Sequence, residues 1–568
     1  PASLLRLQHV QPGRRKPWRP VSLALPHRRF PNTIHSASKA AGTSTMARGQ
    51  PFAHLHVLSE YSLPDGACRV ADLARRASEL GQPAIAVTDQ STMHSAIPFY
   101  REALRVGVKP ILGCRIELRD PVRARSEGAL VLLAEDLRGY RNLLALSTAA
   151  HLNPPPGEPP GVTIEELGAR TRGLIALSGG PNGALREAVR GGDIAAAARR
   201  ANELAELFSR DCFFLELQNQ GQRDQRDFNE RIRQTAARAG LPTVVTNEVR
   251  YLRPEDEPAQ RLLRRIRTGA PPESALDGPT AGRHELADGE EMARRFPDDE
   301  AARRRTVEIA RRCTVELGRR PARLFPRFPL PPGFARWDEE RDDAALRYLR
   351  EQAQAGLARR TSGRRLGGTD EADARRQRER MDRELEVIGH GGYADYFLVV
   401  ADYVAFARAS GIAVGPGRGA SGGSLVAYAL GITSMDPMQF GLSFECFLNA
   451  ERDAFPDFDI DVCPDRRSEV IAYLRRRYGE ERVAQIITFG TFAPRAALRD
   501  AARALDVPAA YADRWTRLLP DESRVSLAEA VRSNTALRQL VNGEPTARRV
   551  LQLARAIEGM PRNTGTHA

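Results

Sequence analysis

At 568 residues the chain is too long for one hydrophobic core and implies roughly three or four domains. Its composition, 42% hydrophobic and 28% charged, fits a globular protein, and no stretch approaches the roughly 20 apolar residues needed to span a bilayer. The net charge of +13 suits a polyanionic partner such as nucleic acid, although lysine occurs only at Lys16, Lys39 and Lys109, so the arginine bias of a GC-rich genome accounts for it equally well.

Residues 1–45, rich in Arg, Pro, Ser and His, lack periodicity and read as a leader foreign to the fold, with Met46 as the true start; a transit peptide is the competing reading. From residue 52 to about 252, short apolar runs alternate with helical patterns. The runs are FAHLHV (52–57), AIAVTD (84–89), VKPILGCRIEL (108–118), ALVLLAE (129–135), GLIALSG (173–179), CFFLELQ (212–218) and LPTVVTNEVRYL (241–252). Repeated strand–helix units predict a parallel sheet with helices outside, and seven runs suffice to close a barrel. Residues 253–390 read as charged helices, with FPRFPLPPGF (325–334) as a linker and 359–380 as an exposed loop leading into a helix. Beyond 393 the pattern predicts a helix stopped at Gly411, a short strand IAV, a glycine-rich loop at 415–424 and a helix. A strand at 453–463, a helix capped by Gly479, a strand RVAQIITFG and a run of helices follow. The six cysteines (Cys68, Cys114, Cys212, Cys313, Cys446, Cys463) form no C-x-x-C pair, which argues against a zinc ribbon or a disulfide framework and fits a reducing, cytoplasmic setting.

Within FPDFDIDVC, Phe458, Ile460 and Val462 face one way and Asp457, Asp459 and Asp461 the other. Three carboxylates on one face repel one another unless a cation sits among them, and hard divalent ions, above all Mg²⁺, take such oxygen ligands. Two such ions can bridge a triphosphate and an attacking hydroxyl. A solvated acidic edge strand is the bland alternative, and the apolar opposite face weighs against it. The loop GPGRGASGGS follows a strand and opens a helix, so its backbone N–H groups and the helix dipole favour an anion, and Arg418 adds a guanidinium. The loop lacks the G-x-x-x-x-G-K-[ST] spacing of a P-loop.

The stretches VGPGRGASGGSLVAYALGITSMDP, LSFECFLNAERDAFPDFDIDVC and GEERVAQIITFGTFAPRAALRDAARAL resemble the C-family DNA polymerases, the group of bacterial DNA polymerase III alpha subunits. The opening HLHVLSEYSLPDG resembles that family's polymerase-and-histidinol-phosphatase (PHP) domain. The resemblance implies an α/β chain: a PHP-type (β/α) barrel (46–318), then a palm like that of polymerase beta, a mixed sheet with helices (319–488), then a helical thumb (489–562), with 563–568 opening a second palm segment. It implies a DNA-directed DNA polymerase that adds deoxynucleotides to a primer 3′ end. Two Mg²⁺ ions would be held by Asp457 and Asp459, with Asp461 supporting. Gly417, Arg418, Gly419, Ser421, Ser424 and Arg452 would meet the nucleotide phosphates, and Arg495, Arg499 and Arg503 the DNA backbone. Implied partners are primer–template DNA, deoxynucleoside triphosphates, a sliding clamp and other replisome subunits, with no membrane.

Departures from the family pattern are Ala420 at the serine of G-R-G-S and Cys446 at the arginine of F-E-R-F-L-N. The family's third catalytic aspartate would follow Ala568, so the expectation is a fragment that does not polymerise alone. In the barrel, family metal ligands are replaced by Leu58, Gln90, Arg115, Ala129, Gly180, Glu248 and Arg250, leaving His56 and Asp65 as remnants. No barrel metal is therefore expected. The alternatives are a phosphoesterase or 3′–5′ exonuclease in the barrel, or a DNA-binding module without catalysis.

Overall fold

The computed structural model describes residues 51–63, 65–120, 125–152, 160–269, 282–318, 325–335, 340–362, 371–449, 455–520 and 525–567. The leader, Met46, Arg452 and part of the 359–380 patch lie outside them. The chain divides into two compact units: one runs to Leu317 and resumes over Phe489–Thr564, and the other comprises Gly318–Thr488 with the last residues from Gly565.

In the first unit, the apolar runs become strands because they are covered on both faces. β1 (Ala84–Gln90) is buried at six of its seven positions, and β6 (Phe213–Gln218) at all six. β2 (Lys109–Asp120), β3 (Arg125–Ala134), β4 (Gly161–Val162), β5 (Leu174–Leu177) and β7 (Thr243–Thr246) complete a sheet of order β1-β2-β3-β5-β6-β7, with β4 on β2. The sheet is mixed rather than parallel, because β3 runs antiparallel to both β2 and β5. Only a few residues separate β2 from β3, too few for the crossover that a parallel pair requires. The first run, 52–57, is a closing segment: Ala86 N–H donates to the His54 carbonyl (2.8 Å), and Leu58 N–H to that of Val249 (2.8 Å) just beyond β7. It thereby joins the two ends of the sheet.

Helices cover the sheet with one apolar face each. In Val70–Glu79 the buried residues are Val70, Leu73, Ala74 and Ala77, the i, i+3, i+4, i+7 stripe. The 489–562 segment, expected as a thumb, carries among its described residues the helices Pro494–Ala504, Ala509–Thr516, Leu527–Ser533, Thr535–Gly543 and Pro545–Ile557, and belongs to this same unit. Leu262 and Leu263 of Glu257–Thr268 share a core with Leu498, Val550 and Leu551, and Arg265 pairs with Asp506 at 2.9 Å. β8 (Ile487–Thr491) and β9 (Pro561–Thr566) pair as a two-stranded ribbon.

The second unit is built from the helices Arg341–Ser362, Glu371–Gly391, Ala394–Ala409, Leu425–Ala429 and Arg467–Tyr478. Its core contains Leu349, Ala353, Leu385, Ile388, Phe397, Val426 and Ile432. The mixed sheet implied for this region is represented, among the described residues, by one antiparallel bridge, Val414 to Val462, and the start of β8. The 455–463 stretch is extended but pairs only there, so it is less regular than the strand its alternation predicts. Gly356 marks a close helix approach: a Cβ there would lie 2.0 Å from the Ala429 carbonyl oxygen. Gly356→Ala should therefore cost this unit about 1–3 kcal/mol by urea denaturation, the range of an overpacked core; an unchanged midpoint would contradict the packing described.

Candidate functional site

The Ala394–Ala409 helix ends at Gly411, whose φ of 68° is left-handed, and the chain turns back through Ile412 and Val414. Gly415 N–H donates to the Asp461 carbonyl (2.9 Å), and Cys463 N–H to that of Ala413 (3.0 Å). These bonds lay the glycine-rich loop directly on the acidic segment. Gly417 (φ 107°) and Gly419 (φ 66°) both adopt left-handed backbone, and a Cβ on Gly419 would stand 3.6 Å from Asp459 Oδ2.

Alternation along the acidic segment places Phe458 inward, 5.0 Å from the Phe397 ring and 4.9 Å from Phe447. Asp457, Asp459 and Asp461 stay accessible. Tyr396 braces the segment by accepting the Phe458 N–H on its hydroxyl (3.1 Å). Burial pushes the Tyr396 phenol up; the Phe458 N–H partly offsets this, and the charges of Asp457 and Asp459 add to it. Arg418 closes the arrangement, with its guanidinium 3.4 Å from Asp459 and 3.2 Å from Asp461. The cation of the glycine-rich loop thus lies against the carboxylates, and Asp461 is engaged as fully as Asp459. Among the described residues, no three metal-ligating side chains converge on one point.

Ser421 and Ser424, expected to face phosphate, turn inward. Ser421 is 1% exposed and donates to the Arg418 carbonyl at 2.9 Å. Ser424 is fully buried, donates to Glu384 (2.9 Å) and accepts the Ala427 N–H (3.0 Å). The helix behind the loop is five residues long, and its first N–H groups, on Leu425 and Val426, are taken by Glu384 at 3.0 Å each. The helix-dipole expectation is therefore not met: a protein carboxylate occupies that end. Sequence reading passed over Glu384 among the many charges of its helix. The available signal was its position one residue from Leu385 and four from Ile388, on a stripe with Met381 that is buried. Arg452 is outside the described residues, and Cys446 is exposed.

At the barrel mouth, the ligand remnants are held by protein groups. His56 Nδ1 lies 3.1 Å from Glu216, an acid fully buried in β6 that sequence reading also missed. Asp65 faces Arg250 (3.8 Å) and Arg264 (3.4 Å). Arg115 pairs with Glu117 (3.2 Å), and Arg250 with Glu248 (3.0 Å), a non-glycine residue held at φ 40°. Burial alone would raise the Glu248 carboxyl; Arg250, His56, His284 and Arg115 reverse this and hold it well below the usual range. Of the three arginines expected to meet DNA, Arg499 and Arg503 are exposed and paired with Asp513 (3.3 Å) and Asp500 (2.8 Å). Arg495 instead donates to the Leu519 carbonyl at 2.9 Å, where it ties down the following turn.

Two family models match this chain: Bacterial DNA polymerase III alpha NTPase domain over residues 347–568, and PHP domain over 54–220. The DNA polymerase III subunit alpha of Pseudomonas fluorescens is 36% identical over 529 residues, covering 91% of this chain and 44% of that protein. The subunit from Treponema pallidum (strain Nichols) is 37% identical over 533 residues, 92% of this chain and 44% of its own. That of Escherichia coli (strain K12) is 35% identical over 526 residues, with 91% and 44% covered. The chain thus spans under half the length of the curated relatives it matches. Among the described residues, no helix is long and apolar enough to cross a membrane.

Two measurements probe these clusters. His54 is pushed down to about 4, first by burial and then by the charge of Arg295, against a bond to the Ala287 carbonyl. His284 is pushed to about 4 by burial and then Arg250. Both bind a proton more readily when unfolded, so their contribution is complete above about pH 6.5 and is lost as pH falls towards 4, at up to about 1.4 kcal/mol per pH unit for each. Urea midpoints should fall across that window, and the double variant His54→Gln, His284→Gln should flatten the fall; an equally steep profile in the variant would contradict this. At the loop, Arg418→Ala should tighten Mn²⁺ binding to the nucleotide-free chain about threefold to tenfold, because a competing surface cation is removed. Mn²⁺ electron paramagnetic resonance reads this directly, and weakened or unchanged binding would count against the pairing.

Proposed function

Because the chain belongs to the family of bacterial DNA polymerase III alpha subunits, we propose that residues 411–463 carry the nucleotidyl-transfer site of a DNA-directed DNA polymerase. One observation supports this most: the glycine-rich loop, its arginine and the aspartate segment are hydrogen-bonded into one small surface inside the region matched by the polymerase family. The substrates are primer–template DNA and deoxynucleoside triphosphates. The primer 3′-hydroxyl gives up its proton to solvent as its oxygen bonds to the α-phosphorus of the incoming nucleotide, the α–β phosphoanhydride bond breaks, and pyrophosphate leaves.

Asp457 and Asp459 would hold two Mg²⁺ ions, with Asp461 supporting. The donor set fits a hard dication: accessible carboxylate oxygens, two of which already attract the guanidinium of Arg418. When bound, the ions supply charge neutralisation and polarise the reacting oxygens. The residues of the chain supply the rest. Gly417 and Gly419 let backbone approach a phosphate without a Cβ in the way. Arg418 is placed to leave the carboxylates and meet the triphosphate, while Tyr396 and the Phe458 ring cluster keep the aspartates facing out. Arg452 is proposed as a second phosphate contact by resemblance. Arg499 and Arg503 are the candidates for DNA phosphates; the Arg499–Asp513 pair is exposed and weak, whereas Asp500, the partner of Arg503, is buried and also held by Arg562. A sliding clamp and other replisome subunits are the proposed partners, and the cytoplasm the proposed location. The barrel phosphoesterase reading is disfavoured because Arg115 and Arg250 occupy ligand positions and His56 is held by Glu216.

In the intact natural protein, Asp457→Asn and Asp459→Asn should each lower primer extension by about 10³-fold or more while primer–template binding, read by fluorescence anisotropy, is kept. Extension at the normal rate would refute the assignment.

A further inference from the structure

We infer that Glu384 is a positioning residue that holds the glycine-rich loop in the shape that receives the triphosphate, an inference that rests on the polymerase reading. Glu384 lies in the Glu371–Gly391 helix, 31 residues before the loop begins at Gly415, with its side chain 1% exposed. Both its oxygens are engaged. One accepts the Leu425 N–H (3.0 Å), and the other accepts the Val426 N–H (3.0 Å) and the Ser424 hydroxyl (2.9 Å).

Arg380, one helical turn earlier, completes the clamp. It pairs with Glu384 at 2.8 Å and also donates to the carbonyls of Gly423 (3.0 Å) and Leu442 (3.3 Å). The pair therefore grips the chain on both sides of Ser424, the carboxylate taking N–H groups after it and the guanidinium the carbonyl before it. At Gly423 the backbone passes so close to Ser443 that a Cβ there would lie 2.2 Å from the Ser443 carbonyl oxygen. With its far end fixed, the loop presents Gly415, Arg418 and Gly419 to Asp459 and Asp461 at the near end.

A buried carboxylate is costly unless every lone pair is met, and here three donors and a guanidinium meet them. Glutamine at this position keeps the size but offers one acceptor oxygen, and its amide N–H₂ confronts a backbone N–H, so at least one loop contact is lost. The charge is what the arrangement requires, which separates positioning from simple packing.

Glu384→Gln and Glu384→Asp tested in the 568-residue chain distinguish the two. Hydrogen exchange is followed across 415–430 without nucleotide, and dATP binding is titrated with Mg²⁺. The expected result for Glu384→Gln is exchange at Leu425 and Val426 faster by about tenfold or more, with the Ala394–Ala409 helix unchanged, and dATP bound about tenfold more weakly. Glu384→Asp, which keeps the charge, should recover part of both. Unaltered loop exchange in Glu384→Gln, or altered exchange with unaltered dATP affinity, would overturn the inference. So would acceleration spread evenly over the whole unit, which marks a merely structural residue. A wild-type chain that binds no dATP would sink the polymerase reading instead, and the exchange at Leu425 and Val426 would still decide whether Glu384 sets the loop.

Discussion

The candidate site depends on one constraint: a glycine-rich loop and an acidic segment, about forty residues apart in sequence, are tied backbone to backbone. The bonds from Gly415 to Asp461 and from Cys463 to Ala413 fix their register. Everything chemical follows from that register. It sets the outward carboxylates beside glycines that leave room, and it brings Arg418 within 3.4 Å of Asp459 and 3.2 Å of Asp461. Electrostatics then complete what the backbone begins, since three neighbouring carboxylates are tolerated only with a cation at hand.

The two polar clusters handle buried charge in different ways. At the barrel mouth, His56 faces Glu216, Arg250 faces Glu248 and Asp65, and Arg115 pairs with Glu117, so buried charges are opposed internally while His56 Nε2, Asp65 Oδ1, Arg115 Nε and Arg250 Nε make no hydrogen bond to a described residue. At the loop, the paired groups are about half exposed, and such pairs are weak and exchangeable. Charges opposed within a buried cluster suit a scaffold, and loosely paired exposed ones suit the metal and phosphate site proposed here. Glu384 and Arg380 belong to the first kind, placed immediately behind the second.

Much of the fold was legible in the sequence because buried strands write themselves as unbroken apolar runs. Six of the seven runs, AIAVTD and CFFLELQ among them, hold strands, the last only over Thr243–Thr246, whereas FAHLHV forms isolated bridges. The direction of β3 was not legible, because period and polarity say nothing about orientation; only the short connection from β2 does. The shared core of Leu262 and Leu263 with Leu498 and Val550 was equally hidden, since local patterns do not report a partner more than two hundred residues away. At the site, the alternation of Asp457, Asp459 and Asp461 could be read directly. The inward turn of Ser421 and Ser424 could not: a hydroxyl in a glycine-rich loop looks the same in sequence whether it meets phosphate or a buried glutamate. Glu384 and Glu216 escaped for a related reason, as acids among many charges or inside an apolar strand carry no label until their donors are placed around them.

The central claim is that metal, triphosphate and the aspartate segment meet in one place. Pulsed electron paramagnetic resonance of Mn²⁺ with dATP, on chain carrying ¹³C-labelled aspartate carboxylates, tests this most directly. The account predicts that the bound ion couples to both ³¹P of the nucleotide and ¹³C of aspartate, and that the ¹³C coupling disappears when Asp457 and Asp459 are both changed to asparagine. A Mn²⁺–dATP complex that couples to phosphorus alone, or whose carboxylate coupling survives in the double variant, would contradict it.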